Sequence, residues 1–184
     1  MQNQATTTAT QPRIPVGFKN GAIAFTKVAL PYGWLGNMSP EPLLYEGKRY
    51  RTAEALFQCL RFEGHPEIQK AIRDCPSPMS AKMVAKKHKP QIQNRVPERG
   101  PDDIARMRLC LRLKVEQHPA IRRMLLATGD HVLIEDVQSR RSSSGTFWGA
   151  YWDADQAAWV GDNMLGKCWM ELRSSLRAQA PQAA

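Results

Sequence analysis

One short segment near the C-terminus combines residue types that suit ligand binding. It contains Phe147-Trp148-Gly149, and a few residues later Gly161-Asp162-Asn163-Met164-Leu165-Gly166-Lys167 at the start of a predicted helix. The indole of Trp148 offers a flat face on which a base can stack. The first turn of a helix offers free backbone N–H groups to an anion, with Asn163 and Lys167 beside them. The segment therefore predicts a site that stacks a ring and binds an anion nearby, although a tryptophan can also be core and Asn163 a helix cap.

A reaction at a glycosidic bond would also need a carboxylate, and Glu54 is the first candidate. It lies in Thr52-Ala53-Glu54, one turn into a predicted helix and directly after a predicted strand. A carboxylate at that position can project from the end of the helix into a pocket. The alternative is that Glu54 only stabilises the helix dipole, and position alone favours that alternative.

Four further polar residues are candidates for contacts with a ligand. Asn37, between Gly36 and Met38, could hydrogen-bond a hydroxyl or an amide, although asparagine beside glycine is typical of turns. A helix end and a short strand bring Asp130, Glu135 and Asp136 close together, where solvated acids are the alternative.

A basic, serine-rich stretch precedes Trp148. Its two arginines, Arg140 and Arg141, are followed by three serines and Gly145. Guanidinium and hydroxyl groups are typical phosphate ligands, so this stretch is a candidate phosphate contact.

The charge of the chain points to an anionic partner. The 184 residues carry a net charge of +9 with a pI of about 9.7. The segment from Lys82 to Lys114 has ten basic residues against three acidic ones, a net charge of +7. A nucleic acid or a phosphorylated small molecule fits this excess, and a solvated basic face without a partner is the alternative.

Cysteine and histidine spacing gives no sign of a disulfide framework, a metal site or a cofactor. The four cysteines and four histidines are scattered, without a C-x-x-C pair. No apolar run approaches the roughly 20 residues of a membrane helix, and the first residues form a Gln/Thr/Ala-rich tail. We expect a cytoplasmic protein with reduced thiols and no membrane partner.

The predicted elements must bring these groups together in one domain. We expect strands over 22–29, 43–50 (folded over Glu46-Gly47), 131–137 and 147–152. We expect helices from Thr52 to Phe62, from Pro66, from Pro78, over 101–117 and 119–128, and over 163–179. This is a helix-rich α+β domain with a few short strands over 21–178, with disordered tails at 1–20 and 179–184.

The order of several short motifs resembles the NADAR (YbiA-like) family. The motifs span about Phe25 to Leu176 and are Leu35-Gly36-Asn37-Met38, Tyr45-Glu46-Gly47, Thr52-Ala53-Glu54-Ala55-Leu56-Phe57-Gln58 with Arg61-Phe62, Met107 with Lys114, Leu126-Ala127-Thr128-Gly129-Asp130, Leu133-Ile134-Glu135, Phe147-Trp148-Gly149, and Gly161-Asp162-Asn163-Met164-Leu165-Gly166 through Met170-Glu171-Leu172-Arg173.

The resemblance implies a helix-rich α+β fold and metal-independent hydrolysis of N-glycosidic bonds. Two substrate classes are associated with such proteins. One is ADP-ribose attached to guanine in DNA, removed as the antidote to a DNA ADP-ribosyltransferase toxin; the other is the ribosylamino-pyrimidine phosphates of riboflavin synthesis. A non-catalytic reader of ADP-ribose or nucleic acid is a third possibility. The resemblance assigns Glu54 as the catalytic carboxylate and Trp148 as the stacking residue. We expect substrate contacts from Gly36, Asn37, Arg61, Asp130, Glu135, Trp148, Gly149, Asn163 and Lys167.

The chain departs from the family pattern at two places. The acidic residue expected three positions before Trp148 is replaced by Gly145, and a tryptophan expected before the helix of Met107 is absent from 98–101. Asp130, Asp136 and Asp153 are the candidates for the missing acid, and the sequence does not choose among them.

Overall fold

The computed structural model describes residues 17–92 and 98–179. The α-helices in this part of the chain are α1 (Ala53–Leu60), α2 (Pro66–Arg73), α3 (Pro78–His88), α4 (Pro101–Gln117), α5 (Pro119–Ala127), α6 (Ser143–Trp148) and α7 (Met164–Ala178). The strands are β1 (Phe18–Lys19), β2 (Ala22–Phe25), β3 (Leu43–Tyr45), β4 (Lys48–Tyr50), β5 (Val132–Glu135), β6 (Tyr151–Asp153) and β7 (Ala158–Val160). Two 3-10 helices cover Gly33–Leu35 and Lys89–Ile92. The predicted helix-rich α+β class is confirmed.

The main sheet has the strand order β1-β2-β5. β1 pairs antiparallel to β2, whereas β2 and β5 are parallel, with Phe25 opposite Glu135. Because parallel strands end at the same edge of the sheet, the chain leaving β2 and the chain leaving β5 emerge side by side. Two predictions are corrected: β2 ends at Phe25 rather than at residue 29, and β1 lies inside the predicted N-terminal tail.

Two hairpins complete the β structure. The prediction over 43–50 is confirmed, since β3 and β4 pair across Glu46 and Gly47, both with positive φ, as a tight hairpin turn requires. The strand predicted over 147–152 is wrong at its start, because Phe147 and Trp148 end α6 and the strand begins at Tyr151. The hydroxyl of Ser142 accepts from the N–H of Gly145 and caps α6, a local interaction that overrides the aromatic character of this stretch.

The predicted helix starts are confirmed at their caps. Thr52 accepts from the N–H of Ala55 at 3.2 Å and begins α1. Each of the helices α2, α3, α4 and α5 begins with a proline, whose missing N–H costs nothing in the first turn. Every residue of α1 from Ala53 to Cys59 is buried. α1 therefore runs through the core. Its polar residues Glu54 and Gln58 are costly to bury unless they are hydrogen-bonded inside the protein.

A buried lysine joins α4 to the loop after the first 3-10 helix. The ammonium of Lys114, 1% exposed, pairs with Glu41 at 3.0 Å. It also donates to the carbonyls of Trp34 and Gly36 and to the hydroxyl of Ser39. Burial lowers the pKa of Lys114, and Glu41 opposes that shift. The contacts fix the loop 34–39, from which Asn37 faces the cavity described below.

The cysteines are free and mostly buried. Cys59, Cys110 and Cys168 are buried and Cys75 is half-buried. Burial raises the pKa of Cys59 to about 12 and that of Cys168 to about 11, so these thiols stay protonated and unreactive. Within 17–92 and 98–179, no helix is long and apolar enough to cross a membrane.

Replacing Lys114 with methionine tests the anchoring of this loop. We expect Lys114→Met to lower the free energy of unfolding by about 3 kcal/mol, because Glu41 and three oxygen acceptors lose their cation. Urea denaturation measures the change, with Lys87→Met on the exposed face of α3 as the matched control. Adding Glu41→Gln to Lys114→Met should recover part of the loss. A loss no larger than that of Lys87→Met would contradict the anchoring role.

Candidate active site

A cavity of about 600 Å³ opens where β2 and β5 end. In open sheets with parallel strands, ligands bind outside the carboxyl ends of the strands, and this cavity has that position. It is lined by Thr26, Lys27, Val28, Gly36, Asn37, Met38, Glu54, Phe57, Gln58, Arg61, Lys82, Met107, Glu135, Val137, Ser139, Arg140, Ser142, Ser144, Gly145, Trp148 and Leu165. Residues from both halves of the sequence therefore meet in one site.

Glu54 lies on the floor of this cavity. Its backbone N–H donates to the carbonyl of Asn37 at 2.9 Å, which fixes the start of α1 against the loop held by Lys114. Its Oε1 accepts from the amide of Gln58 at 2.9 Å, and the residue is only 6% exposed. The carboxylate is thus held in one orientation, with its surroundings largely closed to water.

Glu135 is the second carboxylate in the cavity. It ends β5, and its side chain is 17% exposed and 3.3 Å from Nη2 of Arg140. Burial raises the pKa of Glu135; Arg140 opposes that shift, the negative charge of Glu54 adds to it, and Lys82 opposes it weakly. Two acids in unequal environments can take unequal protonation states, as acid and base roles require.

An aromatic wall closes one side. Trp148 packs edge-on against Phe57, with ring centroids 5.5 Å apart, and against Phe147 at 4.9 Å. The guanidinium of Arg61 lies 4.4 Å from the centroid of Phe57 and makes paired hydrogen bonds to Asp103. Trp148 is half-buried and keeps part of its surface toward the cavity, which suits stacking.

Asn37 presents an unused acceptor. Its amide NH₂ donates to the sulfur of Met107 at 3.1 Å. Its Oδ1 is buried and has no hydrogen-bond partner among the described residues. Because an unpaired buried carbonyl oxygen is costly, a donor group of a ligand would satisfy it.

The mouth of the cavity is cationic, with Lys27 after β2, Lys82 on α3 and Arg140 after β5. The two arginines considered as phosphate ligands are separated by the structure. Arg140 lines the cavity, whereas Arg141 stacks on Tyr151 at 4.2 Å and does not line it.

The basic segment from Lys82 to Lys114 is not one continuous basic surface. Five of its cations form ion pairs: Lys89 with Glu98, Arg106 with Asp103, Arg108 with Glu171, Arg112 with Glu116, and Lys114 with Glu41. Arg95 lies outside the described residues. Within the described ranges, Lys82, Lys86 and Lys87 on α3 have no ion-pair partner. The +7 already counts Glu98 and Asp103, so the pairs with Glu171, Glu116 and Glu41 offset three of the seven charges, and among the unpaired lysines Lys82 lies at the cavity.

Of the predicted anion site at the start of the last helix, Leu165 lines the cavity, but the polar residues Asn163 and Lys167 do not. Asn163, with φ of 51°, donates its amide to the carbonyl of Leu133 at 2.8 Å and accepts from the N–H of Glu135 at 3.2 Å. A Cβ at Gly166 would lie 2.1 Å from the oxygen of Leu133, so the helix start is packed onto β5. Lys167 is exposed outside the cavity. Asn163 and Gly166 pack against β5, and they thereby help to fix the strand that carries Glu135.

Gly149 also acts by close packing, since a Cβ there would lie 2.3 Å from the oxygen of Glu135. It does not line the cavity.

None of the three aspartates considered as replacements for the missing acid lines the cavity. Asp130 is exposed and pairs with Arg177, and Asp136 pairs with Lys19 at 2.9 Å. Asp153 accepts from backbone N–H groups in the turn after β6. Glu135, the last residue of β5 in the parallel pair, is the carboxylate that accompanies Glu54 in the cavity.

The position of the missing acid is filled by backbone. A Cβ on Gly145 would lie 2.1 Å from the carbonyl oxygen of Arg140. The glycine therefore allows the turn that carries Arg140 to lie against α6.

Comparisons with known proteins confirm the resemblance. The family model described as NADAR domain matches residues 24–177. N-glycosidase YbiA of Escherichia coli strain K12 is 33% identical over 165 residues, covering 89% of this chain and 94% of YbiA. N-glycosidase Npun_R5314 of Nostoc punctiforme is 31% identical over 160 residues, covering 84% and 92%. The NMR structure of the E. coli protein YbiA superposes with a TM-score of 0.66 at 27% identity, covering 94% of each chain.

Across 17–92 and 98–179, no three His, Cys, Asp or Glu side chains are grouped so that they could hold a metal ion.

The raised pKa of Glu135 predicts a pH-dependent stability difference. A carboxyl group whose pKa is raised in the folded state contributes stability below its ordinary value of 4.5, and this is lost as the pH rises through the folded pKa. We expect Glu135→Gln to become more stable relative to the wild type as the pH rises above 4.5. Urea denaturation from acid to neutral pH measures the trend, and circular dichroism verifies that both proteins stay folded. A difference that is constant with pH, or that runs the other way, would contradict the assignment.

Proposed function

Because this chain belongs to the NADAR family, whose matched relatives are N-glycosidases, we propose that it hydrolyses the N-glycosyl bond joining ADP-ribose to guanine in DNA. The reaction releases ADP-ribose and restores the base. A DNA ADP-ribosyltransferase toxin would attach the ADP-ribose, and this enzyme would act as the antitoxin by removing it.

The observation that carries the proposal is the division of charge within one cavity. Glu54 and Glu135 place two carboxyl groups on the floor, and Lys27, Lys82 and Arg140 form a cationic mouth. Cleavage of a ribosyl C–N bond develops positive charge at the anomeric carbon, which a nearby carboxylate stabilises. The phosphates of the same substrate are negative and suit the mouth. A ribosyl group with phosphates at one end matches both regions at once.

The two carboxylates have different roles in the proposed reaction. Glu54 faces the anomeric carbon and orients a water molecule for attack. As the C–N bond breaks, its electron pair stays on the guanine nitrogen, which takes a proton from Glu135. The water oxygen bonds to the anomeric carbon, and Glu54 accepts the proton that this water loses. Burial and the charge of Glu54 raise the pKa of Glu135 and so favour its protonated form.

The remaining lining residues orient the substrate. Trp148 provides the surface against which a flat ring rests, and the free Oδ1 of Asn37 accepts from a ribose hydroxyl. Arg61 supports the aromatic wall through Phe57 and Asp103.

Two features favour ADP-ribose on DNA. Three cations at the mouth match a pyrophosphate better than a single phosphate, and the exposed Lys86 and Lys87 of α3 continue the positive charge from Lys82 along the surface, where a DNA strand can lie.

A smaller substrate is the second candidate, and the local neutralisation of the basic segment favours it. Five ion pairs leave fewer phosphate contacts than the sequence implies, and a ribosylamino-pyrimidine phosphate needs one anion site only. The non-catalytic reader of ADP-ribose is the third, since Gly145 replaces the expected acid.

Release of ADP-ribose from a modified oligonucleotide tests the proposal. We expect wild-type protein to release ADP-ribose from DNA carrying ADP-ribosylated guanine. Glu54→Gln should lower the rate constant by roughly 10³-fold, because the amide cannot stabilise positive charge or accept a proton. Chromatography of single-turnover reactions measures both rates. Glu116→Gln, on the exposed side of α4, is the matched control and should retain wild-type activity.

The outcomes separate the three candidates. Undiminished release in Glu54→Gln would sink the catalytic assignment. Tight binding without release would favour the reader, and cleavage of a ribosylamino-pyrimidine phosphate alone would favour the metabolic enzyme.

Substitution of Trp148 tests the stacking surface. We expect Trp148→Ala to raise KM roughly tenfold or more, since stacking contributes about 1–3 kcal/mol per base. Trp148→Phe keeps an aromatic face and should have a smaller effect. Steady-state kinetics on the modified oligonucleotide distinguishes KM from kcat. Trp152→Ala, in the β6–β7 hairpin away from the cavity, is the control, and an equal rise in its KM would count against a specific stacking role.

A further inference from the structure

Arg140 connects the mouth of the cavity to its floor. Its guanidinium lies 3.3 Å from Oε1 of Glu135, and its side chain is 48% exposed at the same opening as Lys27 and Lys82. Among the described residues of the mouth, Arg140 is the one whose side chain also pairs with a carboxylate on the floor of the cavity. A single 3.3 Å contact with a half-exposed guanidinium is weak, so Arg140 readily leaves Glu135 for an anion that binds it through paired hydrogen bonds.

The backbone of Arg140 is fixed even though its side chain is exposed. Its N–H donates to the carbonyl of Val137 at 2.7 Å, and its carbonyl accepts from Ser142 at 2.8 Å. The same carbonyl oxygen occupies the space that a Cβ on Gly145 would need. The guanidinium can therefore swing between Glu135 and the opening without any movement of the loop.

Charged groups from three parts of the fold face Glu135. Glu54 of α1 disfavours its ionised form, as burial does. Arg140, in the segment after β5, and Lys82, on α3, favour the ionised form. Arg140 is the larger of these two effects and the one that makes direct contact.

We propose that Arg140 is a positioning residue that couples phosphate binding to protonation of Glu135, because a substrate phosphate draws its guanidinium away from that carboxylate. In the empty cavity the contact with Arg140 favours the ionised form of Glu135 and offsets part of the effect of burial. When phosphate binds at the mouth, Arg140 forms paired hydrogen bonds with it, and Glu135 takes up one proton from solvent. That proton is the one that Glu135 later donates to the leaving nitrogen. The inference rests on the proposed function for this last step only.

Titration of Glu135 with an uncleavable probe tests the coupling. The carboxyl signals of ¹³C-glutamate-labelled protein are followed against pH by NMR, with Glu135→Gln identifying the signal. We expect ADP to move the midpoint of Glu135 to higher pH, and adenosine, which lacks phosphate, to leave it unchanged. In Arg140→Gln the midpoint should be higher already without ligand and should not move with ADP. Arg141→Gln, the neighbouring arginine outside the cavity, should behave as wild type.

Two results would overturn the inference. One is a wild-type midpoint that saturating ADP does not move, and the other is an Arg140→Gln midpoint equal to that of wild type. Neither measurement requires turnover, so the coupling can hold even if the modified oligonucleotide is not cleaved.

Steady-state kinetics provides a second test of the coupling between Arg140 and Glu135. If wild type does release ADP-ribose, Arg140→Gln should raise KM by roughly tenfold through loss of a charged hydrogen bond and shift the pH profile of kcat/KM, which reports the free enzyme, toward higher pH. Arg140→Lys should restore KM in part. Release with unchanged KM and unchanged pH profile in Arg140→Gln would sink the coupling and leave the proposed function standing.

Discussion

The buried ammonium of Lys114 is the interaction on which the arrangement of the site depends. It comes from α4, pairs with Glu41, binds two carbonyls of the 34–39 loop and lies 5.9 Å from the ring centroid of Trp169 in α7. Burying a cation is costly unless its hydrogen-bonding capacity is filled, and here it is filled by groups of the single stretch 34–41. The loop is therefore placed by a point charge rather than by apolar packing alone. Once the loop is placed, the carbonyl of Asn37 receives the first turn of α1, and Glu54 has its position.

The second organising feature is the parallel pairing of β2 with β5. It joins parts of the chain more than 100 residues apart and sets Glu135 beside Phe25. Asn163 and Gly166 at the start of α7 then bind β5 from the other side. The two carboxylates are thus carried on a helix and a strand that have independent supports. Supports of this kind hold the backbone that carries each acid, and a fixed backbone contributes to the preorganisation that electrostatic catalysis requires.

Local features of this structure could be read from the sequence, and long-range ones could not. Thr52, the prolines that begin four helices, and the Glu46-Gly47 turn act within a few residues of themselves, so their positions were predicted well. The α6 cap at Ser142 is equally local, but the aromatic residues that follow it suggested a strand. Arg108 pairs with Glu171 of α7, and Arg112 pairs with Glu116 one helical turn further along α4. Net charge alone cannot show that these two arginines are neutralised. Glu135 was predicted to contact substrate but not as the partner of Glu54, because no strand order was available. Asn163 was predicted as a ligand contact, whereas its amide is used within the fold.

The close approach at Gly145 has a consequence for how this site can change by mutation. An acidic side chain at that position and the present turn at Arg140 compete for the same space. A single substitution that restores the acid would therefore meet a backbone that excludes it, and the turn would have to be remodelled at the same time. Such a pair of changes is rarely reached in one step. The carboxyl groups that line the cavity beside this turn are Glu54 on α1 and Glu135 on β5.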